Sequence, residues 1–550
     1  MSPVAVSPAP DAPAVRPADL PDFSDRLSPM LVKELRQGLR SPVFVWGLIV
    51  MNLSLTAIVS LNMLDPNEED LHQAFFGVYA LLVCGLLPLR AAGALYDELR
   101  GNTIDTLVLT QLNGWRITMG KWVAVVAQQV LAAITVLPYV IVRYFAGGID
   151  VPLELAWLGI FLLAGMLSAA VLTGFSWMRY FLFRAAMMMG VTWLTGSFCV
   201  EVLEDMYGRN SNNLLEELYS DGGWRIFPLL FIGAAHLAFF SLDLGAAQVS
   251  GLVESKALRR RLVATGVIAL YLMGGLTLPI HGVGDLAALI ITCMLVYGTL
   301  ALTGLQAILE LPVNLMSVVL PWVRRGTKGR VAGRFFQDGW PSGVCWFGLM
   351  LLVCTLLFGW RLDQIGKVPL AYSVYDFSPW NGRNVAAAVV TAGGFFGMMI
   401  APLVLWRWWA RHRLPWHLGT WLVFLVGLGM SQLAIFALAS TMENHQMLKW
   451  GLPIPSMGLS WLAEANDYQR TWRSMETNAS LNWDYLDIVR VSGLVTLGWW
   501  LAAGWCALRA FRQTTAVEQE ALTALKAGAA TSGLAPNHDQ TGILPENSPV

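Results

Sequence analysis

Few residues in this chain could do chemistry, and most of those lie inside long apolar runs. His236 and Asp243 are seven residues apart and would share one face of a helix. An imidazole and a carboxylate so placed could relay a proton through an apolar segment. A lone histidine among small residues serves equally to hydrogen-bond a neighbouring helix. Gln128 and Gln129 are adjacent; their amides could line a polar path or bond one helix to another. The six cysteines, Cys84, Cys199, Cys293, Cys345, Cys354 and Cys506, show neither CxxC nor Cys/His ligand spacing, so no metal site is expected. The chain contains no GxxxxGK[ST] phosphate loop, and GRVAGRF lacks the Lys-Ser/Thr pair that would cradle phosphate and magnesium. Between 442 and 487, Glu443, His445, Asp467 and Asp484 could supply acids to a membrane enzyme, but neither HExxH nor GxSxG occurs there. No cofactor is therefore expected in this chain.

The elements that hold these residues follow from composition. The 550 residues are 56% hydrophobic and 13% charged, with mean hydropathy +0.55. Soluble chains carry roughly a quarter charged residues, so this one lacks the polar material to cover a water-facing surface. The fold expected is all-α, a polytopic integral membrane protein. A window of about 19 residues finds about twelve transmembrane helices, near 42–64, 74–96, 120–145, 153–178, 184–203, 226–250, 262–281, 285–310, 342–360, 384–406, 418–441 and 488–510. The net charge of −1 argues against a nucleic-acid partner.

An even number of crossings puts both termini on one side. The densest basic clusters fall on that side: Lys256 with Arg259, Arg260 and Arg261, then Arg324, Arg325, Lys328, Arg330 and Arg334. By the positive-inside rule the N and C termini are cytoplasmic. The Pro-rich residues 1–28 and the polar residues 512–550 read as disordered cytoplasmic tails, with one short helix possible over 516–526. The stretch 29–41 reads as an amphipathic interfacial helix. Leu31, Leu35 and Leu39 recur every four residues while Lys33, Arg36 and Arg40 take other faces, an arrangement that meets membrane lipids in the plane of the bilayer. Between the second and third spans, Ile104, Leu107, Val108, Gln111 and Leu112 would share a helix face. So short a helix needs a partner surface to be stable, which makes it a docking element.

Three pieces together resemble the membrane subunits of ABC-2 type transporters: VKELRQGLRS, LPLRAAGALYDELRGNTIDTLVLTQLNGWRITMGK, and the following span with its proline in AAITVLPYVI. The resemblance covers roughly residues 29–250. It implies a connecting helix over 29–41 and a six-span domain over 42–253 with a coupling helix near 97–118. Asp97, Glu98, Arg100, Gly101, Thr103, Leu107, Leu109, Thr110 and Lys121 match the family pattern and would transmit the power stroke. It also implies a separate ATP-binding cassette ATPase as partner, with ATP and magnesium on that partner, and a homodimer or a pairing with a related permease subunit. The place implied is the cell (inner) membrane of a bacterium. The second region, 254–511, gains no role from the resemblance, because PWVRRGTKGRVAGRFFQDGWP does not repeat the coupling pattern. An ion-coupled twelve-span carrier is the alternative, weakened by the lack of a clear midplane carboxylate.

Overall fold

The computed structural model describes residues 29–64, 69–96, 113–146, 150–178, 181–207, 223–249, 257–277, 283–310, 316–365 and 485–532. Among the described residues the regular secondary structure is helical, with no strand. Among the described residues, eight helical stretches are long and apolar enough to cross a membrane: Pro42–Asn62, Leu71–Tyr96, Gly114–Ala146, Val151–Phe175, Arg184–Leu203, Phe227–Val249, Ile291–Ile308 and Trp340–Arg361. Large apolar side chains face outward on them, including Trp46, Leu53, Trp193 and Leu356. Water would penalise such an exterior, whereas hydrocarbon accommodates it. Of the other spans expected, 262–281 and 488–510 fall in or against helices, while 384–406 and 418–441 lie outside the described residues. So do residues 1–28 and 442–484.

The chain divides into two compact units, Met1–Arg209 with Ser241–Ser250, and Asn210–Phe240 with Gly251–Val550. The first begins with α1 (Pro29–Leu39) and α2 (Pro42–Asn62). Ser41 caps α2, its hydroxyl accepting from the Phe44 N–H at 3.3 Å, and Pro42 occupies the first turn, where no N–H is needed. One stripe of α2, formed by Phe44, Met51, Leu55, Val59 and Asn62, is buried at helical spacing. The next span joins α3 (Glu69–Ala80), a π-helical turn (Leu81–Leu86) and α4 (Leu87–Ala91). Then follow α5 (Gly114–Ala146), α6 (Val151–Phe175) and α7 (Phe181–Tyr207). Helix α6 packs on α4, α5 and α7, with Phe161 wholly buried between Phe76 and Tyr79 of α3.

The π turn has a chemical cause. Leu87 N–H donates to Leu82 O, five residues back. The next carbonyl, Val83 O, would take its bond from residue 88, but Pro88 has no N–H. Gln129 Nε2 of α5 supplies that bond at 3.0 Å. Gly165 of α6 leaves room, since a Cβ there would lie 2.6 Å from Val83 O and 3.0 Å from Gln129 Nε2.

Helix α8 (Gly223–Val249) begins in the second unit and ends in the first. The rest of the second unit is α9 (Ala257–Thr277), α10 (Val283–Leu309), α11 (Met316–Arg324), α12 (Gly326–Phe336), α13 (Trp340–Ile365) and α14 (Tyr485–Ser532). Its core lies where α9, α10, α13 and α14 meet, around Tyr271, Trp346, Phe347, Phe358 and Cys506. Close approach is permitted by glycine: a Cβ on Gly343 would run into Ala307 O, and one on Gly304 into the Phe347 ring. Two neutral bonds cross this core, Trp346 Nε1 to Thr265 Oγ1 at 3.0 Å, part-buried, and Tyr297 Oη with Thr355 Oγ1 at 3.1 Å, buried.

One feature corrects the sequence reading. The polar tail expected from 512 onward is helical to Ser532, continuing α14 without a break. Val517, Leu522 and Leu525 pack with Ala521 against Val319 and Val323 of α11, so a stripe too weak to announce a span is paid for by tertiary contact. The segment PWVRRGTKGRVAGRFF is a helical hairpin, α11 folded onto α12 through Gly326 at φ +76°. That conformation suits a residue without Cβ.

Candidate functional site

Asp97, Glu98, Arg100, Gly101, Thr103, Leu107, Leu109 and Thr110 lie outside the described residues. The ends that hold this segment are described, and they converge. Leu95 before it and Ile117 after it share a buried cluster with Val249, and Trp177 packs alongside. Leu95 N–H donates to Ser176 Oγ at 3.1 Å, fixing the exit of the second span to the end of α6. The Arg184 guanidinium covers the Tyr96 ring at 3.8 Å. Five elements therefore meet at the two roots of the 97–112 stretch: the second span, α5, α8, the end of α6 and α7.

The amphipathic helix α1 is bolted to the same place. Lys121 Nζ, 6% exposed, pairs with Glu34 Oε1 at 3.0 Å. Arg90 Nη1 donates to Gln128 Oε1 at 2.7 Å and to Gly38 O at 3.3 Å. Glycine at 38 is required by approach, because a Cβ would collide with the Gln128 amide. Lys33 and Arg36 remain exposed on the outer face of α1, with Arg40 exposed just beyond its end, while Leu31 and Leu35 are half-buried. One side of α1 thus docks on the spans through charge, and the other carries free cations to a surface.

The glutamine pair is accounted for by this packing. Gln128 binds Arg90 and Gln129 binds Val83 O; both are buried and both amides join helices. His236 is buried and its ring packs on Phe240, centroids 6.3 Å apart. Asp243 is buried two helical turns further along α8, and the two residues fall in different units.

Sequence reasoning passed over a second charged cluster. Arg143 Nη1 lies 3.0 Å from Glu154 Oε1, and both side chains are almost wholly buried. Arg143 Nη2 contacts His72 Nδ1, and the guanidinium sits 4.3 Å from the Phe75 ring centroid. The residues come from three helices and are far apart in sequence. The available signal was an arginine one turn from the end of an apolar helix with a glutamate one turn into the next. Lys121 and Arg143 are 22 residues apart on α5, about 33 Å at 1.5 Å per residue. A hydrocarbon core is about 30 Å thick. The two ion pairs thus sit at the two boundaries that a membrane would give this helix.

In the second unit the corresponding centre is Arg261, fully buried. Its Nη1 donates to Phe335 O and Gln337 O at 2.8 Å and to Ser342 Oγ at 2.9 Å. Its Nη2 donates to Glu310 Oε2 at 2.6 Å and to Gly339 O at 3.2 Å. Glu310 also faces Arg260 at 3.4 Å and accepts the Gly339 N–H at 3.2 Å. Asp338 Oδ1 accepts the Ala257 N–H at 2.6 Å, satisfying the start of α9. Gly339 at φ +118° makes the turn that brings these carbonyls together.

Among the described residues no group of three His, Cys, Asp or Glu could hold a metal. An open groove of about 590 Å³ runs along α7 beside Thr192, Trp193, Gly196, Ser197, Val200 and Glu201. What the arrangements do is bind helix to helix with buried charge. Comparison of the chain with known protein families, with curated proteins and with solved structures finds no match.

Proposed function

We propose that this chain is the membrane-spanning permease subunit of an ATP-driven transporter of the ABC-2 type, exporting an unidentified substrate. A separate cassette ATPase would hydrolyse ATP with magnesium and grip the 97–112 segment. The supporting observation is the convergence at its roots: the cluster of Leu95, Ile117 and Val249, with the Lys121–Glu34 pair tying α1 to α5. A push on that segment would pass into the second span, α5, α6 and α1 together, which is what rigid-body rocking of a bundle requires. Twelve spans, both termini cytoplasmic, a place in the cell (inner) membrane of a bacterium, and a second permease chain, identical or related, belong to the same proposal.

Gentle detergent extraction is expected to recover a cassette ATPase with this chain. Glu98→Lys, or deletion of residues 103–112, is expected to release it. Crosslinking in intact membranes that captures no ATPase overturns the reading. The buried cluster of His72, Arg143 and Glu154 favours a second reading, an ion-coupled carrier, in which ionisable groups buried at one membrane boundary of α5 would stand at the mouth of an ion path. Gradient-driven uptake into ATPase-free liposomes, lost on Glu154→Gln, would select that reading instead.

A further inference from the structure

At the end of α5 away from the 97–112 stretch, one arginine joins three helices of the first unit. Arg143 reaches Glu154 of α6 through Nη1 and His72 of α3 through Nη2, and its guanidinium lies over the Phe75 ring, 5.8 Å from the Phe76 centroid. A guanidinium only donates, so His72 Nδ1 presents a lone pair to it, and the imidazole is neutral with its proton on Nε2. One carboxylate, Glu154, then stands against one buried cation.

The three groups differ in access to solvent. The Arg143 and Glu154 side chains are 2% and 5% exposed, whereas His72 is half-buried in the first turns of its span. A proton from solution therefore arrives at the imidazole. Placed on Nδ1, it turns the acceptor into a donor and sets a second cation against the guanidinium, which a single carboxylate cannot balance. The contact has to part for that proton to be held. Lower pH then favours the parted form, because that form binds one proton more.

Other titratable groups reach this end of the unit. Helix α2, packed on α3, has none. Helix α6 adds exposed Asp150 at its N-cap, and α7 ends with Glu201, Glu204 and Asp205. Tyr144 follows Arg143 on α5, Tyr79 and Cys84 lie further along the second span, and Glu69 and Asp70 precede His72 on α3. Among these side-chain types, histidine is the one that ordinarily changes charge between about pH 5 and 8.

We propose that His72, Arg143 and Glu154 form a proton-operated latch, which fastens the start of the second span to the adjoining ends of α5 and α6 near neutral pH and releases it on acidification. On release Arg143 keeps Glu154, and the start of α3 loses its polar tie to α5. The proposal rests on the packing of the first unit and on neither reading of how transport is driven.

The test is hydrogen exchange of the full chain in nanodiscs at about pH 7.5 and about pH 5, each rate corrected for the intrinsic pH dependence of amide exchange. An imidazole titrating near 6.5 in the open form, and taking no proton in the closed form, raises the opening constant about thirtyfold between those conditions. Protection is expected to fall by about that factor over 71–76 and 140–146, and to stay within about twofold at the Lys121 end of α5. His72→Gln keeps an acceptor for Arg143 that does not titrate, so its protection should be the same at both pH values. E69Q/D70N should still lose protection at least about tenfold on acidification. A parent chain whose protection does not change with pH overturns the proposal, as does a His72→Gln variant that opens like the parent. Should His72→Gln fail to fold, E69Q/D70N decides: a pH response that vanishes there belongs to a carboxylate, and the latch falls.

Discussion

The two units place buried charge differently. In the first, ion pairs stand at both ends of α5, Glu34–Lys121 at one and Glu154–Arg143 at the other. In the second, the buried ion pairs described gather at one end, around Arg261 and Glu310, and the remainder of the core is apolar with two neutral bonds across it. Apolar contact with lipid and apolar contact with protein are nearly equivalent, so it fixes helix register weakly, whereas buried ion pairs and hydrogen bonds fix it strongly. The first unit is pinned at both boundaries, as a strut would be. The second is pinned at one and held by packing beyond it.

The largest effect that would break this contrast is at Glu310. Glu310→Ala leaves Arg260 and Arg261 buried without their shared carboxylate, and removing one partner of a buried pair costs ~3–5 kcal/mol. Hydrogen exchange should show protection lost at the start of α9, the end of α10 and the 337–343 turn, with the first unit unaffected. Equal loss in both units would end the comparison. Glu154→Ala comes next, at about 2–4 kcal/mol in detergent unfolding. Arg143 keeps the Phe75 face and the His72 contact, which return part of the penalty. The contrast predicts that protection is lost at the Arg143 end of α5 while the Lys121 end stays closed.

A smaller effect sharpens the account of the π turn. Pro88→Ala restores an N–H that can serve Val83 O, so Gln129→Leu should cost about 1 kcal/mol in the parent and less in the Pro88→Ala background. Additive losses in the double-mutant cycle would show that Gln129 acts otherwise. The smallest effect is Glu518→Ala, at ~0.5–1 kcal/mol, because its partners Arg330 and Arg334 are 30% and 26% exposed and screened by water. It should appear as faster exchange over 512–532 with the core of the second unit intact.

These centres differ in how far the sequence discloses them. Helices α2, α5, α6 and α13 are legible because an apolar run of span length leaves few alternatives. Gln128 and Gln129 announce polar contact inside a span, but their partners lie some forty residues away: Gln128 takes Arg90, and Gln129 takes the Val83 carbonyl that Pro88 cannot serve. Arg261 reads as one of three equivalent topogenic cations. Only the fold distinguishes it from exposed Arg259, by wrapping the 335–342 backbone around its guanidinium. Arg143 and Glu154 sit where span ends are hardest to place, and their signal is slight: a cation near the end of one apolar run and an acid near the start of the next. The 512–532 helix is hidden for the opposite reason, its apolar stripe being too thin to register until Val319 and Val323 cover it. The segment carrying the family resemblance remains a matter for the partner-capture experiment.

The wide turn at Leu81–Leu86 also sets a rotational offset. A regular helix advances 100° per residue, so the extra residue held there determines the angular position of everything that follows in its span. Deleting one residue from it would leave hydropathy and span length almost untouched while swinging Arg90 about a quarter turn from Gly38 and Gln128. In this span, chain counting and not side-chain identity decides whether the amphipathic helix stays fastened, and an in-frame single-residue gap would be as damaging as loss of the arginine itself.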